Sequence, residues 1–189
     1  MSKLNILPKG VIPNHYDISI DVDFDSFQFE GSEDIQIEIL EPVSEIVLNS
    51  VDLEIINVSF LSEGVLDSSN PKITINNEYL KLDFGQQIPP CSGVLKIDFC
   101  GTLSDDLKGF YKASYKDEND TVKYLATTQF EATDARRAFP CWDEPAFKAT
   151  FSLSLSVPSK FSAVSNMQIV SEIKSPKPNV KIVKFEKTP

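Results

Sequence analysis

Residues able to do chemistry crowd into one stretch of the sequence. Between Tyr124 and Phe147 stand the only tryptophan, Trp142, the only two arginines, Arg136 and Arg137, and the acids Glu131, Asp134, Asp143 and Glu144. Guanidiniums this close to carboxylates can form forked, charge-assisted pairs that pin a long connection from within. Phe139, Trp142 and Phe147 could then make a small core beneath it. Asp143-Glu144-Pro145 looks like a paired-carboxylate site, but reads rather as a turn paired with Arg136 or Arg137. Cys141, between Pro140 and Trp142, reads as a small buried hydrophobe.

His15 is the only histidine. Hydrolytic zinc usually takes two or three histidines, and a serine triad needs one as base, so neither site can be built from this chain alone. Beside Tyr16 at the head of the first strand pattern, His15 reads as a hydrogen-bonded packing residue. The three cysteines, Cys91, Cys100 and Cys141, lack paired spacing and predict a reducing, cytoplasmic setting without disulfides. Eighteen Lys+Arg against 28 Asp+Glu leave a net charge of −10. That balance argues against nucleic acid and anionic membranes as partners, because both need a basic face. The densest apolar stretch, Leu53 to Leu61, is broken by Glu54, Asn57 and Ser59, so no spanning helix is predicted. No apolar signal core precedes Pro8.

What must position these residues is β-structure. The 189 residues are 41% hydrophobic and 24% charged, values of a globular chain with a core. Period-2 alternation marks Ile18–Phe24, Ile35–Ile39, Leu80–Phe84 and Leu95–Phe99, and most clearly Phe147–Val157, whose odd-numbered side chains should face a core. Weaker runs lie at Val51–Phe60, Lys72–Ile75, Val122–Thr127 and Val180–Phe185. Turn residues separate them, Leu61–Asn70 reads as a polar loop, and Lys116–Asp120 reads as a solvated hairpin tip. Asp21, Asp23 and Asp25 read as a solvated acidic face. The fold class is all-β, as a sandwich, barrel or curved sheet, with residues 1–189 as one domain.

The segment Thr128-Gln129-Phe130-Glu131-Ala132-Thr133-Asp134-Ala135-Arg136-Arg137-Ala138-Phe139-Pro140-Cys141-Trp142-Asp143-Glu144-Pro145, followed by Phe147-Lys148-Ala149-Thr150-Phe151, resembles a signature of the M1 family of zinc aminopeptidases. The resemblance is closest to its puromycin-sensitive-type, cytosolic eukaryotic members, fungal ones included. Supporting matches run in family order: Leu7-Pro8, Pro13-Asn14-His15-Tyr16-Asp17, Phe29-Glu30-Gly31, Gly109-Phe110-Tyr111 and Ser165-Asn166-Met167. The resemblance implies the family's saddle-shaped N-terminal β domain. It equally implies that the catalytic zinc domain is absent from this chain. The Gly-x-Met-Glu-Asn loop and the His-Glu-x-x-His zinc helix are missing from the sequence, so this piece alone is expected to bind no zinc and hydrolyse nothing.

By the same resemblance Glu131 would bind the free α-amine of a peptide substrate, and Gln129 would line the pocket for its first side chain. A carboxylate only accepts and an ammonium offers three donors, so the pairing suits recognition of a chain end. The structural alternative for Glu131 is an ion pair with Arg136 or Arg137. Two functions stay open: substrate recognition within a zinc aminopeptidase, or capture of peptide and nascent-chain N-termini with little cleavage. A free-standing β-sandwich interaction module is a third, and it predicts no cleft-facing acid.

Overall fold

The computed structural model describes residues 6–62 and 68–189, so five residues of the expected loop over Leu61–Asn70 lie outside the described residues. The chain is all-β. Its strands are β1 (Val11–Asp23), β2 (Gln28–Ile39), β3 (Val43–Asn49), β4 (Leu53–Ser62), β5 (Ser68–Ser69), β6 (Lys72–Asn76), β7 (Tyr79–Ile88), β8 (Cys91–Thr102), β9 (Gly109–Lys116), β10 (Val122–Gln129), β11 (Thr150–Pro158), β12 (Ile169–Lys174) and β13 (Val180–Phe185). The one helical element among the described residues is a single 3₁₀ turn, Ala135–Arg137.

Three open sheets result. The largest runs β12-β13-β11-β1-β2-β8-β4-β5, a second runs β3-β7-β6, and β9-β10 form a hairpin. The alternation read from sequence becomes a buried face: Tyr16, Ile18, Ile20 and Val22 on β1, Ile35, Ile37 and Ile39 on β2, and Leu95, Ile97 and Phe99 on β8. Ile46, Leu48, Leu80 and Leu82 of the three-stranded sheet complete the same apolar cluster. Two cross-strand pairs lock the register of β2 on β8. Gly31 stands opposite Phe99, and Gly101 opposite Phe29. A Cβ at Gly31 would lie 2.3 Å from the Phe99 ring, and one at Gly101 2.5 Å from the Phe29 ring. Each glycine therefore leaves the space that the opposite phenylalanine fills, which explains physically the Phe29-Glu30-Gly31 pattern.

The strand expected over Phe147–Val157 begins only at Thr150. Pro145 and Ala146 make a turn closed by the Phe147 N–H on the Glu144 carbonyl at 3.1 Å, which keeps residues 147–149 out of the sheet. The predicted facing is otherwise found. Phe151, Leu153 and Leu155 pack half-buried against the core, while Val157 joins a second cluster with Val183 and Phe185. β11 pairs with β1 in parallel, His15 opposite Thr150, and such a pair requires a long crossover. The chemistry-rich segment is the last part of that crossover.

The polar tip at Lys116–Asp120 is also found. Asp117 accepts the N–H groups of Asn119 at 2.9 Å and Thr121 at 3.0 Å, and these bonds hold its carboxyl below the usual range. His15 is buried, with Nδ1 2.8 Å from the Thr150 hydroxyl and Nε2 3.4 Å from that of Ser152.

Candidate functional site

The site grows from the open end of the β9–β10 hairpin. Gln129, the last residue of β10, pairs with Gly109, the first of β9. Gly109 has φ of +67°, and a Cβ there would meet the Arg137 Cβ at 2.5 Å. Only glycine meets both demands, so the hairpin can pack directly on the Ala135–Arg137 turn. Phe130 follows, its ring edge-on to Phe139 at 6.0 Å. Glu131 then opens a tight turn, closed where the Asp134 N–H meets the Phe130 carbonyl at 2.9 Å.

Two arginine clamps hold the turn in place. Arg136 is 6% exposed. Its Nε donates to the Asp143 carboxylate at 2.8 Å, Nη2 to the Asp143 carbonyl at 3.2 Å, and Nη1 to the Glu78 carboxylate at 2.7 Å. Arg137 donates from Nε to Asp134 at 2.9 Å, and its Nη1 pairs with Asp52. Neither guanidinium turns to Glu131, which forms no ion pair among the described residues. Glu131 and Gln129 are both exposed. The arginines thus do the structural work anticipated for them, with Asp143, Glu78, Asp134 and Asp52 as partners.

Sequence reasoning missed the far anchors. Asn49 exchanges two backbone hydrogen bonds with Cys141, at 2.7 and 3.0 Å, while its side chain accepts the Asp143 N–H at 3.1 Å. The same side chain donates to the Glu78 carbonyl at 3.3 Å. Glu144 takes the Leu7 N–H at 2.6 Å, and the Tyr16 hydroxyl takes that of Trp142 at 3.2 Å. Burial pushes the Tyr16 hydroxyl and the Cys141 thiol well above their ordinary pKa values, so both stay protonated at neutral pH. Cys141 is the small buried hydrophobe expected.

Beneath the turn is a hollow of about 250 Å³, walled by Tyr16, Phe139, Trp142, Phe147 and Phe151, with Ala132, next to Glu131, also lining it. A larger hollow of about 570 Å³ lies among acids that include Asp21, Asp23, Glu30 and Glu54. Part of the expected solvated face is therefore structured. Asp21 pairs with Lys177 at 2.6 Å, and the Ser26 hydroxyl, with the Asp25 N–H, holds the Asp23 carboxyl below its usual range.

These residues do not fit a zinc site. The only histidine faces two hydroxyls, and no group of three or more His, Cys, Asp or Glu suited to a metal occurs among the described residues. No helix among the described residues is long and apolar enough to cross a membrane.

Comparison with known proteins adds the identity of the fold. A model of the peptidase M1 N-terminal domain matches residues 12–189. Aminopeptidase M1 of Arabidopsis thaliana is 42% identical over 188 residues, covering 97% of this chain and 21% of that protein. Aminopeptidase M1-C of Oryza sativa subsp. japonica is 40% identical over 184 residues, covering 97% of this chain and 20% of that protein. Puromycin-sensitive aminopeptidase of Caenorhabditis elegans is 35% identical over 193 residues, covering 99% of this chain and 20% of that protein. The chain spans about a fifth of the length of these relatives. With residues 12–189 matched, the clamped turn included, the chain belongs to the peptidase M1 N-terminal domain family.

Proposed function

We propose that this chain is the substrate-recognition domain of a zinc aminopeptidase, in which Glu131 binds the free α-ammonium of a peptide and Gln129 lines the pocket for its first side chain. One observation carries the reading. Glu131 stands exposed and without an ion pair among the described residues on a turn held by the clamps, although two arginines lie within six positions of it and pair with other carboxylates. A carboxylate left free on a preorganised turn suits a cationic ligand better than a structural role does. The zinc and its hydrolytic step are assigned to a catalytic domain outside this chain, which would also pack against it as a partner. The three free cysteines support a cytoplasmic setting.

The test is Glu131→Gln in the full-length protein. Losing one charge-assisted hydrogen bond, about 1.5–3 kcal/mol, lowers kcat/KM roughly ten- to hundredfold for peptides with a free N-terminus. N-acetylated peptides, already poor, hardly change. An equal loss on both substrates, with a lower melting temperature, would return Glu131 to the scaffold. If the wild-type protein binds free N-termini through Glu131 without cleaving them, the reading becomes one of peptide capture.

A further inference from the structure

One charged residue type sits where the fold has no use for its charge. Glu33 is 1% exposed in the middle of β2, opposite Ile18 of β1 and Ile97 of β8. It occupies the buried face between Gly31 and Ile35, and neither carboxyl oxygen has a hydrogen-bond partner among the described residues. The buried face of β8 around it is Leu95, Ile97 and Phe99, with no titratable side chain. From β1 the group that shares its electrostatics is the Tyr16 hydroxyl, and from the clamped segment it is the Cys141 thiol. Neither can neutralise a carboxylate. Arg136, the cation whose charge acts on that same Cys141 thiol, is committed to Asp143 and Glu78.

We propose that Glu33 is a pH sensor built into this domain: a core carboxyl that is neutral when β1, β2 and β8 are closed over it, and whose ionisation loosens that packing beneath the Tyr16–Trp142 contact. An ionised carboxylate without partners is too costly to keep in an apolar core, so the group holds its proton instead. Desolvation accordingly raises its pKa well above the usual value. The sign follows from linkage. The closed state binds the proton more tightly than the opened state, whose carboxyl titrates near its ordinary pKa of about 4.3. Stability is therefore fully present below that value, and falls as pH rises until the raised pKa of the closed state is passed. Tyr16 and Cys141 carry no charge between about pH 5 and 7 in either state, so they leave this slope untouched.

The inference is independent of any role for Glu131. Its test is hydrogen–deuterium exchange on the full-length protein between about pH 5 and 7, corrected for intrinsic exchange rates and read on peptides covering β2 and Trp142. In the wild type, protection should fall by up to about tenfold per pH unit, the limit for one linked proton. Glu33→Gln and Glu33→Leu should each abolish that slope, one keeping shape and the other supplying an apolar side chain. A flat wild-type profile would overturn the proposal without recourse to either variant. So would a variant that keeps the wild-type slope.

Discussion

The Tyr16 hydroxyl accepts the backbone N–H of Trp142 at 3.2 Å, a bond that spans 126 positions of sequence. It joins the first strand to the segment that carries the arginine clamps. Tyr16 also stacks on Phe151 at 4.9 Å, nearly parallel at 8°, so the ring is fixed from below while its hydroxyl holds the loop. Three elements remote in sequence, β1, the crossover and β11, thus meet at one side chain.

Tyr16→Phe keeps the ring and removes the acceptor. The Trp142 N–H, inside a buried segment, would be left unsatisfied at a cost of about 1–3 kcal/mol. Chemical denaturation should show that loss, with the aromatic packing retained. A variant as stable as wild type would mean that the Trp142 N–H finds another acceptor.

Arg136 is the more demanding position. Removing it leaves Asp143, whose side chain is 14% exposed, without its guanidinium partner. Breaking a buried pair from one side costs about 3–5 kcal/mol. We expect Arg136→Met to lower the melting temperature of this domain by roughly 6–20 °C, at 2–4 °C per kcal/mol. Arg136→Lys should rescue little, because one ammonium cannot reach Asp143 and Glu78 in the forked geometry. Full rescue by lysine would show that charge alone matters there.

The strands were legible because most of the sheet buries one face, and alternation reports that directly. β3 escaped notice because Ile46, Val47, Leu48 and Asn49 are all buried, which erases the period. β12 escaped for the opposite reason, since nearly all of it is exposed. Carrying the alternation of Ile35, Ile37 and Ile39 back by one step would have placed Glu33 in the core. In the site, the Arg136–Asp143 pair was readable from seven positions' separation. Glu78, at 58, and the Asn49 contact to Asp143, at 94, belong to tertiary structure. Spacing alone does not separate Glu131 from Asp134. The motif singled out Glu131, and the pairing of Asp134 with Arg137 explains why only Glu131 stays free.

Gly109 and Gly85 make a controlled comparison. Both have φ of +67°, but a Cβ at Gly85 meets nothing within 4 Å, whereas one at Gly109 strikes Arg137. Gly85→Ala should therefore cost only the backbone strain, about 1 kcal/mol. Gly109→Ala adds the displacement of the Ala135–Arg137 turn, so its loss should exceed that of Gly85→Ala by at least about 1 kcal/mol. Equal costs in urea titrations would mean that the hairpin does not bear on the clamp.

Phe151 tests the facing of β11. Its ring is half-buried, stacked on Tyr16 and edge-on to Phe139 at 6.3 Å. A fully buried phenylalanine loses about 3–5 kcal/mol on truncation to alanine, and partial exposure reduces this to roughly 2–3 kcal/mol. Phe151→Leu keeps most of the apolar volume and should recover more than half. Because Phe151 also walls the hollow beneath the Glu131 turn, the alanine variant should loosen Trp142 as well as β11. Thermal melts read the first effect, and faster amide exchange at Trp142 reads the second. A stable Phe151→Ala variant with an unchanged Trp142 amide would place this ring outside the support of the site.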